Sequence, residues 1–257
     1  MIAEHTGYCR LCGESKVLRR SHIIPEFLYA KLYDDLHRML GISTKPSAKI
    51  ELPQKGLRER LLCDSCESLL SGYETYAVDA LSNPTVEGLS GGRGLVSLEG
   101  IDYSRYKIFQ LSVLWRASIS SLDFFTKVNL GEKHEKMIRG MIYSGTAGPL
   151  WRYGCMVFFL SSEESVVEQI IMQPEHFKFG KHHMYRFVLG GMVWVYIVSS
   201  HRATSRQGIY SKMITVSGEL STLKIPIEDL KFLTGAFQDF INAGIIEKAS
   251  KLIPETE

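Results

Sequence analysis

Cys9-Arg10-Leu11-Cys12-Gly13 and Leu62-Cys63-Asp64-Ser65-Cys66-Glu67, with Ser21-His22-Ile23-Ile24-Pro25 between them, decide how this chain is read. A two-residue gap lets both thiolates of a pair reach one ion from a single tight turn or helix start, and two pairs supply the four ligands of a tetrahedral zinc. The pairs use four of the five cysteines in the chain, so a structural zinc on Cys9, Cys12, Cys63 and Cys66 is expected. The alternatives are buried free thiols or disulfides. Disulfides are disfavoured because the N-terminus MIAEHTGYC has neither the basic nor the apolar region of an export signal, and cytosolic thiols stay reduced.

Working outward, Val17–Ile24 reads as a strand running into Pro25, and Lys55–Leu62 leads into the second cysteine pair. A helix should start near Asp64 and run to Leu81, where Asn83-Pro84 ends it. Glu26–Leu40 carries Phe27, Leu28, Leu32, Leu36 and Leu40 at helical spacing and predicts another helix, stopped by Gly41. Ile42–Pro53 is polar and reads as a loop with a short strand. The glycine-rich run Ser90–Gly94 matches no phosphate-binding loop and predicts a flexible connection.

Beyond that run, Ser104–Phe125 predicts a long apolar helix and Glu132–Tyr143 an amphipathic one. The period then changes to that of strands over Tyr153–Leu160, Val166–Met172, Met184–Gly190 and Met192–Ser199, which suggests a small antiparallel sheet with a hairpin or bulge at Gly190-Gly191. A helix from Glu228 to about Leu252 closes the pattern. The expected class is α+β, divided into a zinc-bearing unit over residues 1–90 and a helical and antiparallel-sheet unit over 91–257.

With 45% hydrophobic and 23% charged residues the composition is that of an ordinary soluble globular chain. No apolar run reaches the ~20 residues of a membrane helix, and a cytoplasmic protein without membrane contact is expected. The net charge of +2 neither requires nor excludes a nucleic-acid partner, because a local basic face counts for more than the total.

Laid end to end, C-x-x-C-G, S-H-I-I-P and L-C-x-x-C-E resemble the HNH endonuclease superfamily, over the first segment only. The resemblance implies a ββα-metal, treble-clef-like finger knitted by a four-cysteine zinc. It implies a metal-dependent hydrolase of phosphodiester bonds, with DNA the expected substrate, a role in bacterial defence against phage, and in some members an ATPase partner. His22 matches the general base of such enzymes, and an imidazole suits that task at neutral pH. Ser21 stands where the resemblance leads one to expect an Asp or His metal ligand, a poor substitute.

Glu67 stands where the motif has His or Asn, and a carboxylate is a good oxygen ligand for Mg²⁺ or Mn²⁺. On a helix from Asp64, Glu67 and Glu74 share one face, so both are candidate ligands of a catalytic divalent ion; the alternative for each is a solvated acid or the partner of a nearby Arg. Arg19, Arg20, Lys55 and Arg58 are the candidate phosphate contacts, with Lys45, Lys49 and Arg60 nearby in a surface that also carries Glu14, Glu51 and Glu59. The second reading from another class is a zinc-finger scaffold or nucleic-acid-binding module without catalysis.

The rest of the chain has no catalytic signature. His182-His183 reads as an exposed hairpin turn and Cys155 as a buried small hydrophobe. His134 and His201 read as structural or surface residues. Substrate positioning, partner binding or oligomerisation are the roles left open for this part.

Overall fold

The computed structural model describes residues 5–41, 50–162, 170–199 and 210–242, and the fold is mixed α+β. Strands β1 (Thr6–Tyr8), β2 (Ser15–His22) and β3 (Arg58–Cys63) form an antiparallel sheet in the order β1-β2-β3, and β3 runs directly into helix α1 (Asp64–Leu81). Gly72 lies inside α1 without breaking it; a Cβ there would meet nothing within 4 Å, so the position tolerates its small residue without being built around it.

A second sheet has seven strands in the order β4-β5-β10-β6-β9-β8-β7. These are β4 (Thr85–Gly88), β5 (Gly94–Leu98), β6 (Cys155–Ser161), β7 (Met172–Phe179), β8 (His182–Leu189), β9 (Met192–Val198) and β10 (Leu220–Pro226). All neighbours are antiparallel except β10 and β6, which are parallel. Ser90–Gly94, expected as a flexible connection, is instead the turn joining β4 to β5, with Gly91 and Gly92 both at positive φ. The change from one sheet to the other falls at the end of α1, beside Asn83-Pro84.

Helix α2 (Tyr103–Ile119) is buried nearly all round, its polar residues Lys107, Gln110, Ser112 and Arg116 included. The Asp102 side chain caps it by accepting from the Arg105 N–H at 3.0 Å. One side of α2 meets the sheet: Phe109 packs edge-on against Trp194 with ring centroids 5.7 Å apart, and Tyr196 donates to the Gln110 carbonyl at 3.0 Å. Other sides of α2 pack on α1 and on α3 (Gly131–Ser144). A single buried cluster therefore runs from Leu62 and Leu70 through Phe109 and Trp115 to Trp194. Helix α4 (Lys231–Asn242) follows β10; its expected continuation beyond residue 242 lies outside the described residues, as do residues 42–49 and most of the expected strand at Val166–Met172.

The helix expected over Glu26–Leu40 does not form; two 3-10 turns, Glu26–Leu28 and Ala30–Leu32, take its place. Asp34 explains the difference. Its carboxylate accepts from the Leu36 and Arg38 N–H groups at 3.0 and 2.7 Å and pairs with the Arg38 guanidinium at 2.8 Å. An Asp that binds nearby backbone donors offers the chain an alternative to helix, and His37 turns to a φ of 55° as a result.

Candidate functional site

The site grows from three short pieces of backbone. Cys9 and Cys12 lie in the β1–β2 turn, closed by Cys9 N–H to Glu14 O at 2.9 Å and Gly13 N–H to Cys9 O at 2.8 Å, with Gly13 at a φ of 85° that favours glycine. Cys63 ends β3 and Cys66 sits in the first turn of α1. The four Sγ atoms lie within 4.8 Å of one another, and Cys12 and Cys63 are 3.9 Å apart. Thiolates around one zinc, at ~2.3 Å each in a tetrahedron, stand about 3.8 Å from each other. The cluster thus has the donors and the spacing to hold a metal ion such as zinc. Among the described residues it is the only group of three or more Cys, His, Asp or Glu side chains gathered in this way.

β2 carries the other candidates, and its two faces differ. Ser21 faces inward and is wholly buried; its hydroxyl accepts from Leu62 N–H at 3.2 Å and donates to the Glu67 carboxylate. Ser21 therefore ties β2, β3 and α1 together. Burial raises the Glu67 carboxyl above its ordinary range, opposed by the Ser21 hydroxyl and by Arg116. Arg19 is exposed and pairs with the exposed Asp64 at 3.0 Å. Glu59, the cross-strand partner of Ser21 on β3, turns the same way as Ser21 and accepts from Ser120 and Ser121 just past the end of α2 at 2.7–2.9 Å.

The outer face carries His22 and Arg20, two residues apart on β2, and their partners across the ladder, Arg58 and Arg60. Cross-strand partners project to the same side of a sheet. His22 Nε2 lies 2.9 Å from Glu26 Oε2, and the other oxygen of Glu26 accepts from the Tyr33 hydroxyl at 2.8 Å. A Glu26 carboxylate at Nε2 favours the tautomer with its proton there and leaves Nδ1 to accept one. Burial lowers the His22 pKa, a shift countered by Glu26, so the imidazole is neutral at neutral pH. The carbonyl of His22 accepts from the Arg116 guanidinium of α2 at 2.7 Å. Arg116 is itself buried and pairs with Glu74 at 2.7 Å.

Three of the residues named from the sequence, His22, Arg20 and Arg58, share this face in the structure. The structure engages Glu67 with Ser21, Glu74 with Arg116 and Arg19 with Asp64, and these three do not gather with His22 into a second ligand set. Lys55 is exposed in the segment before β3, and Lys45 and Lys49 lie outside the described residues. Glu26, Tyr33 and Arg116 were missed. The i, i+4 spacing of His22 and Glu26 was a usable signal, whereas nothing local in the sequence announces Arg116.

In the second sheet, His182 and His183 open β8 beyond the two-residue turn Gly180-Lys181, and His183 Nδ1 lies 2.8 Å from His176 Nε2 across the hairpin. Cys155 is buried in β6, and that burial pushes its thiol well above the usual range, as befits a packing residue. His201 lies outside the described residues. No described helix is long and apolar enough to cross a membrane. No family model, no curated protein and no solved structure matches this chain.

Proposed function

We propose that this protein is a hydrolase of nucleic-acid phosphodiester bonds, built on a zinc-knit finger of the HNH type, with His22 as its general base and DNA as its expected substrate. The observation that carries the reading is the outer face of β2 and β3. There a neutral imidazole, oriented by Glu26 and with Nδ1 left to accept a proton, lies directly across the ladder from Arg58. Those are the parts an in-line hydrolysis needs: a base for the water and a cation for the phosphate. His22 takes a proton from water as its oxygen bonds to phosphorus, the ester P–O bond breaks, and the departing oxygen is protonated from solvent. Arg58 neutralises charge on the non-bridging oxygens. A zinc on Cys9, Cys12, Cys63 and Cys66 supplies the rigidity of the β1–β2 turn and of the start of α1. The residues expected to hold Mg²⁺ or Mn²⁺, Glu67 and Glu74, are engaged by Ser21 and Arg116, so the step rests on His22 and Arg58.

A second reading is favoured by those same partners. With Ser21 on Glu67 and Arg116 on Glu74, the acids brace the fold, as they would in a zinc-finger binding module without catalysis. Cleavage of plasmid, single-stranded DNA and RNA by wild type and His22→Ala, with Mg²⁺, with Mn²⁺ and without either, separates the two. The hydrolase reading expects at least a hundredfold loss in the variant with zinc content and melting temperature retained. Activity that survives His22→Ala removes His22 from the reaction, and no cleavage by wild type under any condition favours the binding module.

A further inference from the structure

We infer that the outer face of β2 and β3 grips two neighbouring phosphates of a polynucleotide strand, one at the level of His22 and Arg58 and the next at the level of Arg20 and Arg60. The inference deepens the proposed function and rests on it only for the chemistry at His22; the grip itself stands on the geometry of the face. The ladder sets two cross-strand pairs, His22 with Arg58 and Arg20 with Arg60. Two residues along a strand advance about 7 Å, comparable with the separation of consecutive phosphates along one chain. A small phosphodiester would engage the first level only, so the second level selects a polymer.

The charge on this face is available. Arg19, Arg38, Arg93, Arg116 and Arg186 each pair with a carboxylate. Among the described residues Arg20, Arg58 and Arg60 pair with none. The acid between Arg58 and Arg60 in sequence, Glu59, is held on the opposite side by Ser120 and Ser121. Arg60 spends one donor on the Leu18 carbonyl at 3.1 Å, which fixes the stem of its side chain and leaves other donors of the fork for a ligand. Two acids act on His22: Glu26, whose carboxylate is shared between His22 and Tyr33, and Glu74, which is paired with Arg116. Three guanidinium groups without acid partners on one side of a small sheet form the electrostatic footprint of a phosphate backbone.

The test is fluorescence-anisotropy titration of the zinc-loaded full chain with short labelled DNA and RNA oligonucleotides, single- and double-stranded, over a range of salt concentrations without Mg²⁺ or Mn²⁺. Arg20→Ala and Arg60→Ala should each weaken binding about threefold to tenfold and each reduce the slope of log K against log salt by about 0.7 to 0.9, the value of one phosphate contact. Lys181→Ala, which removes the same charge from the turn between β7 and β8, should leave the slope unchanged. The inference is overturned if wild type binds no oligonucleotide, if Arg20→Ala and Arg60→Ala bind as wild type does, or if Lys181→Ala matches them. Binding with these slopes but without cleavage when Mg²⁺ or Mn²⁺ is added supports the grip and sinks the hydrolase reading. Cleavage that is indifferent to Arg20 and Arg60 does the reverse.

Discussion

At the scale of single residues, the most consequential contact is between Glu26 and His22. Glu26 raises the imidazole pKa against the stronger, opposite effect of burial. Removing its charge in Glu26→Gln takes away the larger of the two effects that oppose burial, so the His22 pKa should fall further and, on the proposed hydrolase reading, the acid limb of the rate profile should move to lower pH. A pH profile of cleavage, or an NMR titration of the ring, checks the direction; a limb moving to higher pH would contradict it. The same shift bears on stability. Because the folded pKa lies below the unfolded value of about 6.5, the folded state prefers the neutral ring, so this contribution is fully present above the unfolded value and is lost as pH falls from there through the folded pKa. Ser21 shows the limit of reading residue types alone. As a metal ligand it looked like a defect, yet its hydroxyl links β3 to α1 through the Leu62 N–H and the Glu67 carboxylate. No spacing rule reveals that, because the three groups meet only once β3 has paired with β2.

At the scale of elements, periodicity found β2, α1, α2, α3 and the central strands of the larger sheet, where long apolar or alternating runs left little choice. It failed over Glu26–Leu40, where leucine spacing suggested a helix and Asp34 drew the backbone donors to itself. It also missed β4, all of whose residues are exposed, since an exposed edge strand carries no hydrophobic pattern to read. The turn between β8 and β9 was legible as Gly190-Gly191, but its neighbour was not. A Cβ on Gly190 would stand 2.7 Å from the Leu28 side chain, and the residue sits at a φ of 55°. Gly190→Ala should therefore cost about 1–2 kcal/mol for the left-handed backbone alone, with the displacement of Leu28 in addition. Urea denaturation measures it, and a loss under 0.5 kcal/mol would mean that the turn relaxes freely.

At the scale of the molecule, the three-stranded sheet and its cysteine cluster depend on side chains that arrive from α2 and α3. Arg116 reaches the His22 carbonyl and Glu74, and Arg139 donates to the Leu11 carbonyl inside the cysteine turn at 2.7 Å. Removing one member of a buried ion pair leaves the other without compensation, so Arg116→Met should destabilise the chain by about 3 kcal/mol, a drop that thermal or chemical denaturation would register. On the proposed hydrolase reading it should also lower cleavage more than the loss of folded protein explains, because the His22 backbone loses its anchor. Equal losses of folded fraction and activity would reduce Arg116 to a packing residue. These supports could not be read from the sequence, since contact between distant segments leaves no local periodicity.

The separation along the chain of Arg116 from His22, 94 positions, and of Arg139 from Leu11, 128 positions, sets an order of events during synthesis. The cysteines, β2 and α1 leave the ribosome before either arginine emerges to brace them. During that interval the β1-β2-β3 ladder, the Ser21 links and any metal ion on the four thiolates are what can hold the two cysteine pairs together, and the free energy of metal binding goes directly into folding. Metal supply while the chain is still being made would then decide how much of it reaches the finished fold.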